Sequence, residues 1–380
     1  MIVKQSRFTA SAGWVPALPT ELDSAKSLVL VFAAPGFARD PAPLLALQAA
    51  FPSSHIIGCS TAGEIFGEGV ADDSIVVSVT AFERDTALRS AFSTLDDATM
   101  SFEAGRALVA QLAEPSLRAI FVLSNGVNVN GSELVRGLKS GVSPEVAVIG
   151  GLAGDGAQFQ ATWVLGAGGV AANGAVAIGL YGTSVSVGYG SAGGWRMFGI
   201  ERRVTRAEGN VLFELDHRPA LTLYKEYLGH RAADLPGSAL LFPLSLRAHH
   251  DDTSAIVRTI LGVDEATQSM RFAGDIPEGS LAQLMRTTTD LLVDGAETAA
   301  TRARASGGSD QAGLAIAVSC VGRRLVLGQR SDEETEATLH ALPRGSSQIG
   351  FYSYGEISPV EGGFCDLHNQ TMTVSFITEA

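Results

Sequence analysis

Four short segments of the 380-residue chain combine residue types that could do chemistry. The first is Ile57–Ile65, IGCSTAGEI, in which small polar residues and glycines follow an apolar run. Such a turn exposes backbone N–H groups together with a thiol (Cys59), two hydroxyls (Ser60, Thr61) and a carboxylate (Glu64). The second is Gly150–Gly156, GGLAGDG. No Lys-Ser/Thr follows it and no G-x-G-x-x-G opens a helix, so it is neither a Walker A loop nor a dinucleotide fingerprint. The third is Ile349–Ile357, IGFYSYGEI, and the fourth is Leu367–Thr371, LHNQT. The first and third match at I-G-x-x-x-x-G-E-I, so each half of the chain carries the same strand, turn and carboxylate, which suits a ligand held between two domains.

These residues admit several chemistries. Glu64 and Glu356 could meet an ammonium group, while glycine-turn N–H groups and Arg323 could meet a carboxylate. Arg323 reads equally as a surface charge at a strand end. Cys59 could be a nucleophile if N–H groups lowered its pKa and a histidine stood in reach. Cys365 and His368 are spaced C-x-x-H, and Cys320 could join them, but structural zinc sites usually show two clear ligand pairs. Haem needs an axial His, Cys, Met or Tyr beside a wide apolar cleft. The absence of C-x-x-C-H excludes c-type attachment.

The elements that must position these residues follow from periodicity. Ser27–Ala34 is a continuous apolar run, the pattern of a strand buried on both faces. A helix over Pro41–Ala50 and a strand over His55–Cys59 follow. Ser74–Phe82 and Thr86–Phe92 read as an antiparallel pair across Glu83-Arg84-Asp85. Helices are expected at Ser101–Ala113 and Ser132–Lys139, and strands at Arg118–Leu123 and Glu145–Ile149. Strands at Gln158–Leu165, Gly174–Tyr181 and Ser184–Ser191 suggest a meander. The second half has a helix at Arg218–Leu228 closed by Gly229 and strands near Ala239–Phe242, Ala255–Val263, Met270–Phe272 and Gly313–Cys320. A long helix spans Thr289–Ala305. Another spans Ser331–Leu339, with Ser331 and Glu334 forming a capping box. Strands at Gln348–Tyr354 and Met372–Ile377 finish the chain. The expected fold is α/β, two packed domains with mixed or antiparallel sheets flanked by helices, divided as 27–217 and 218–375.

Composition narrows the function. Apolar residues make up 46% of the chain and charged residues 18%, enough for well-formed cores and unlike a disordered chain. The net charge of −13 opposes binding to nucleic acid or anionic lipid. Three cysteines, an odd number in a long chain, do not make a disulfide framework. No run of about 18 apolar residues could span a membrane, and Met1–Ala10 lacks the apolar core of a signal peptide. The expected compartment is the cytoplasm.

Taken together and in order, the motifs resemble the FIST family. Besides the four segments above, Pro219–Tyr224 matches the family's P-A-L-x-x-Y and Ser319–Arg323 its S-C-x-G-R, so six ordered motifs cover roughly residues 27–375. One departure is His217, where a small residue is expected. The resemblance implies a bacterial signalling input module that binds a small ligand, such as an amino acid or related metabolite. The chain would pass its state to a partner such as a histidine kinase, and would catalyse no reaction. The alternative implied by some stand-alone members is a haem protein sensing nitric oxide, with His368 or His217 as axial ligand. The ligand-site residues implied are Cys59, Ser60, Thr61, Glu64, Asn125, Gly151, Asp155, Cys320, Arg323, Tyr354, Glu356, His368 and Asn369.

Overall fold

Three β-sheets in the computed structural model follow one plan. Residues 1–252, 255–359 and 365–380 are described. At the centre of each sheet lies a parallel pair joined through a helix. The pairs are Ser27–Ala33 with His55–Ser60, Leu117–Ser124 with Ala147–Leu152, and Leu314–Cys320 with Ser347–Ser353. The connecting helices are Ala42–Ala50, Gly131–Lys139 and Ser331–His340. Beside the first strand of each pair runs an antiparallel return strand: Ile75–Ala81, Gly174–Tyr181 or Met372–Glu379. Each return strand carries an outer neighbour: Ile2–Thr9, Ala87–Thr94 or Val185–Ala192.

The second strand of each pair then turns and leaves its own sheet. Glu64–Phe66 and Gly69–Ala71 join the third sheet, against Ser347–Ser353. Val164–Gly166 and Gly169–Ala171 join the first, against His55–Ser60. Gly355–Pro359 and Cys365–His368 join the second, against Ala147–Leu152. The exchange is cyclic, so the chain folds as three interlocked repeats related by an approximate threefold axis.

The strand patterns explain the layers. Alternate residues of the three equivalent strands (Leu28, Leu30, Phe32; Ala119, Phe121, Leu123; Leu314, Ile316, Val318) meet in one apolar core between the sheets. The residues between them face outward under helices: Val29 and Val31 beneath Leu44, Leu47 and Phe51, and Ile120 and Val122 with Leu108 and Leu134. Both faces are therefore apolar, which is why the strands read as continuous apolar runs. Gly58, Gly150 and Gly350 stand at equivalent points. A Cβ at these three glycines would lie 2.3, 1.8 and 1.8 Å from the carbonyl oxygens of Val31, Val122 and Ala317 on the adjacent strand.

A fourth unit is inserted in the third repeat, between Val185–Ala192 and the long helix Thr289–Gly307. Its sheet runs in the order Ile256–Arg258, Leu244–Arg247, Leu281–Arg286, Arg202–Glu208, Val211–Leu215, Ser269–Phe272, Ile260–Asp264. The first and last strands are separated by Thr259 alone, so the sheet curls round on itself like a barrel. Helix Ala220–Leu228 packs Leu221, Leu223 and Tyr224 into its core with Val204, Leu212 and Phe272.

Several expectations are corrected. Ser74–Phe82 and Thr86–Phe92 do not pair: the chain crosses between sheets at Glu83-Arg84, whose N–H groups donate to Glu379. The expected meander is likewise distributed, with Gly174–Tyr181 in the second sheet and Val185–Ala192 in the third. Ala239–Phe242 is not a strand; a 3-10 turn spans Gly237–Leu241. The capping box does not form, because Glu334 turns inward to Arg323 and the Ser331 hydroxyl donates to the Gly328 carbonyl. Val321–Leu327, where Arg323 was read as a strand end, is a helix. Residue 217 lies in the turn between Val211–Leu215 and Arg218–Pro219 of the inserted unit.

Gly350→Ala is expected to destabilise the protein by about 1–3 kcal/mol, the usual cost of overpacking. Gly168→Ala, where a Cβ meets nothing within 4 Å, is expected to stay within about 0.5 kcal/mol of the parent. Urea unfolding of both variants checks the contrast; equal midpoints would contradict it.

Candidate functional site

The three turns that carry the sequence motifs converge where the repeats meet. Three equivalent backbone hydrogen bonds close a ring: Ala62 N–H to Tyr352 O at 2.8 Å, Tyr354 N–H to Leu152 O at 3.2 Å, and Gly154 N–H to Ser60 O at 2.9 Å. Close approach requires small residues here, since a Cβ on Gly154 would lie 2.8 Å from the Ala62 nitrogen. Gly151 is held small by Val318 and Phe351. The structure thus brings Cys59, Ser60, Thr61, Glu64, Gly151, Asp155, Tyr354 and Glu356 together, largely as the framework of the axis.

Glu64 and Glu356 occupy equivalent positions. Glu64 accepts from the Thr61 hydroxyl and from the N–H (3.1 Å) and hydroxyl (2.7 Å) of Ser74. Glu356 accepts from the Ser353 hydroxyl (2.7 Å) and from the N–H (3.2 Å) and hydroxyl (2.9 Å) of Thr371. Each carboxylate ties a turn to the start of the return strand of its own repeat. The second repeat has Val164 and Gly174 at these places and lacks the tie. Burial raises the Glu64 carboxyl to about 7 and the Glu356 carboxyl to about 8. Both are buried.

The remaining polar residues divide between framework and cleft. Ser60 Oγ accepts from Trp163 N–H, and Asn125 Oδ1 accepts from the Thr162 hydroxyl. Arg323 is fully buried. Its guanidinium donates to Glu334 at 2.8 and 3.1 Å, to the Leu292 carbonyl at 2.8 Å and to the Gly193 carbonyl. Glu334 also accepts from Ser319 and Tyr352. Arg323 therefore braces both roots of the inserted barrel. The Cys59 and Cys320 thiols are buried and pushed up in pKa, chiefly by desolvation, which opposes thiolate chemistry. Cys365 donates to the Val148 carbonyl. Among the described residues, no group of three His, Cys, Asp or Glu is placed to hold a metal ion.

The haem candidates do not fit their group. His368 Nε2 is engaged with the Ser358 carbonyl at 2.9 Å, and burial lowers the imidazole pKa. His217 sits at φ 60° on an exposed turn. Of the clefts formed by the described residues, those of about 610, 430 and 330 Å³ are lined by no His, Cys, Met or Tyr.

The largest of these clefts, about 610 Å³, lies between the repeats and the inserted barrel. One wall is the loop after Gly156, with Gln158 and Phe159. Another comes from the barrel unit, with Arg231, Asp234, Ser238, Leu240, Leu241, Ile260 and Leu261. Leu325 of helix Val321–Leu327 completes it. Asp155 shapes the loop: its carboxylate accepts from the N–H groups of Phe159 (2.8 Å), Gln160 (2.9 Å) and Ala161 (2.8 Å), and from the Tyr354 hydroxyl. The Phe159 ring stacks on Tyr354 at 4.2 Å.

The LHNQT segment does not line the cleft but bonds to Leu240 of its wall and to Thr259, next to Ile260. Asn369 Oδ1 accepts from Thr259 N–H at 3.4 Å, and Gln370 Nε2 donates to the Leu240 carbonyl at 3.0 Å. Asn369 Nδ2, Gln370 Oε1 and Thr259 Oγ1 are buried without a protein partner. Buried polar atoms are nearly always satisfied, so such a cluster calls for an explanation. At the rim, Arg231 lies over the Phe242 ring at 5.3 Å and has no carboxylate partner among the described residues. Of these cleft residues, sequence reading singled out Asp155, Tyr354 and Asn369. Gln370 stood within a motif, but Phe159, Arg231, Asp234 and the barrel residues carried no local signal.

A family pattern described as the FIST N domain matches residues 27–218, and one described as the FIST C domain matches residues 220–359. The chain matches none of the curated proteins compared with it.

The buried carboxylates set a pH dependence. Glu64 and Glu356 keep their protons to higher pH in the fold than in the unfolded chain, where the usual value is 4.5. The folded state binds more protons between about pH 4.5 and 8, so their contribution to stability is full below that window and is lost as pH rises through it. Replacing either residue by glutamine is expected to flatten the fall in urea midpoint between pH 5 and 8. Parallel pH profiles of parent and variants would contradict this.

Proposed function

The chain belongs to the FIST family of sensory, signal-transduction domains, and on that premise we propose that it senses a small metabolite in the cleft between the repeats and the barrel. The observation that carries this reading is the cleft of about 610 Å³ between the repeats and the barrel, whose lining sets Arg231 and Asp234 beside an apolar wall. That volume falls in the usual range for small-molecule sites, about 300–1,000 Å³.

The lining defines the ligand. Leu240, Leu241, Ile260, Leu261, Leu325 and Phe159 accept an apolar body, while Arg231 and Asp234 stand ready for a carboxylate and an ammonium group. An amino acid with an apolar side chain, or a related zwitterion, meets all three requirements. Binding against Phe159 acts on the Asp155–Tyr354 clasp and thereby on the ring at the axis. The resulting change in the barrel or loop surface is read by a partner signalling protein, such as a histidine kinase. No bond is made or broken: the Cys59 thiol is held neutral by burial and sits in the framework.

A thermal-shift screen of apolar amino acids and related zwitterions tests this. A ligand at 100 times its Kd is expected to stabilise the fold by about 2.7 kcal/mol, a rise of several degrees in Tm. Arg231→Ala and Phe159→Ala are expected to weaken calorimetric affinity at least tenfold, and Cys59→Ala to leave it unchanged. Ligands whose affinity survives both cleft variants would place the site elsewhere.

A further inference from the structure

The threefold plan identifies a second cavity that the proposed sensory cleft does not use. In the first repeat, the exchanged hairpin carries Phe66, which packs against the core cluster containing Ile349 and Val76. Ile65 of that hairpin faces Gly350. In the second repeat, Leu165 faces Gly58, which puts Gly166 at the place of Phe66. Where the first repeat inserts an aromatic ring, the second has no side chain. A cavity of about 430 Å³ lies there, walled by Ile57, Ala91, Phe92, Ala171 and Val176. Ile57 and Val176 are the counterparts of Ile349 and Val76, so the apolar surface served by Phe66 in one repeat is present in the other without a ring.

Two polar groups border this socket. Ser90 Oγ is paired with His55 Nδ1 at 2.8 Å. Gln111, on helix Ser101–Leu112, uses its Nε2 to donate to the carbonyls of Phe92 (3.0 Å) and Ala107 (2.9 Å). Those bonds fix the carboxamide, and its Oε1 has no partner among the described residues. An acceptor is thus held at the edge of an apolar slot.

We propose that this socket is a second small-molecule site, taking a flat apolar ring that carries one N–H or O–H donor. The ring takes the part that Phe66 plays in the first repeat, and the donor meets Gln111 Oε1. Most of the walls come from framework strands, so the slot is preformed. The turn from Gly166 to Gly169, whose only side chain is the Ala167 methyl, borders the cavity.

The test uses indole and 2-naphthol as probes, with naphthalene as the donor-free control, followed by NMR titration of the full chain. Indole and 2-naphthol are expected to bind, and naphthalene more weakly. Gly166→Phe is expected to weaken probe binding at least tenfold and to hold or raise Tm. Gly166 lies outside the left-handed region, and a Cβ there comes 3.1 Å from Val176 Cγ1, a contact a small shift relieves. Ser90→Phe fills the slot from the opposite wall and carries the same expectation should Gly166→Phe fail to fold. Arg231→Ala is expected to leave probe binding unchanged, which separates this site from the sensory cleft. Absence of probe binding to the parent, or binding that survives the filling variants, overturns the proposal.

Discussion

The ring of backbone hydrogen bonds among Ala62, Tyr352, Tyr354, Leu152, Gly154 and Ser60 is the constraint from which the rest of the architecture follows. Each repeat gives one donor and one acceptor, and each then sends its next strands into a neighbour's sheet. No repeat can satisfy its own turn, because the partner atoms belong to the other two. Within each repeat, Gly58, Gly150 and Gly350 admit the parallel partner strand where any Cβ would collide, and at the ring itself Gly154 admits Ala62. The buried Glu64 and Glu356 add a second tie in the first and third repeats and leave the second without one.

That asymmetry gives the molecule room for ligands. The second repeat replaces the glutamate tie with the longer loop through Asp155, which reaches out to form a wall of the sensory cleft. The third repeat carries the barrel, and Arg323 holds its two roots at Gly193 and Leu292 through a buried pair with Glu334. A buried ion pair of this kind is weak evidence for net stability, yet removing one partner strands the other charge, so it enforces the geometry. The cleft therefore lies between a rigid threefold frame and an attached unit; the Phe159–Tyr354 stack fixes the frame's wall, and Asn369 and Gln370 bond the frame to Thr259 and Leu240 of the barrel.

Much of the fold was legible in the sequence because the central strands are buried on both faces. Ser27–Ala33, Leu117–Ser124 and Leu314–Cys320 announce themselves as continuous apolar runs. Their pairing was not legible. Exchange between sheets depends on contacts hundreds of residues apart, so Ser74–Phe82 and Thr86–Phe92 looked like a hairpin although they serve different sheets. The site was legible in part for the same reason. The motif turns stood out by residue type, and the structure places most of them in the frame. Arg231, Ser238 and Ile260 reach the cleft only through the barrel's long-range closure, which leaves no local pattern. Glu64 and Glu356 illustrate the ambiguity: a carboxylate after a glycine turn reads like a ligand group, and here each binds the hydroxyl and N–H groups of its own repeat.

Native-state hydrogen exchange tests the central claim most directly. If the ring holds the three repeats as one cooperative unit, the amides of Ala62, Gly154 and Tyr354 exchange only through global unfolding. Their opening free energies then agree with each other and with the value from urea unfolding. Exchange of any one of the three at a lower free energy, with the other two still protected, would mean that the repeats open separately and would contradict the account.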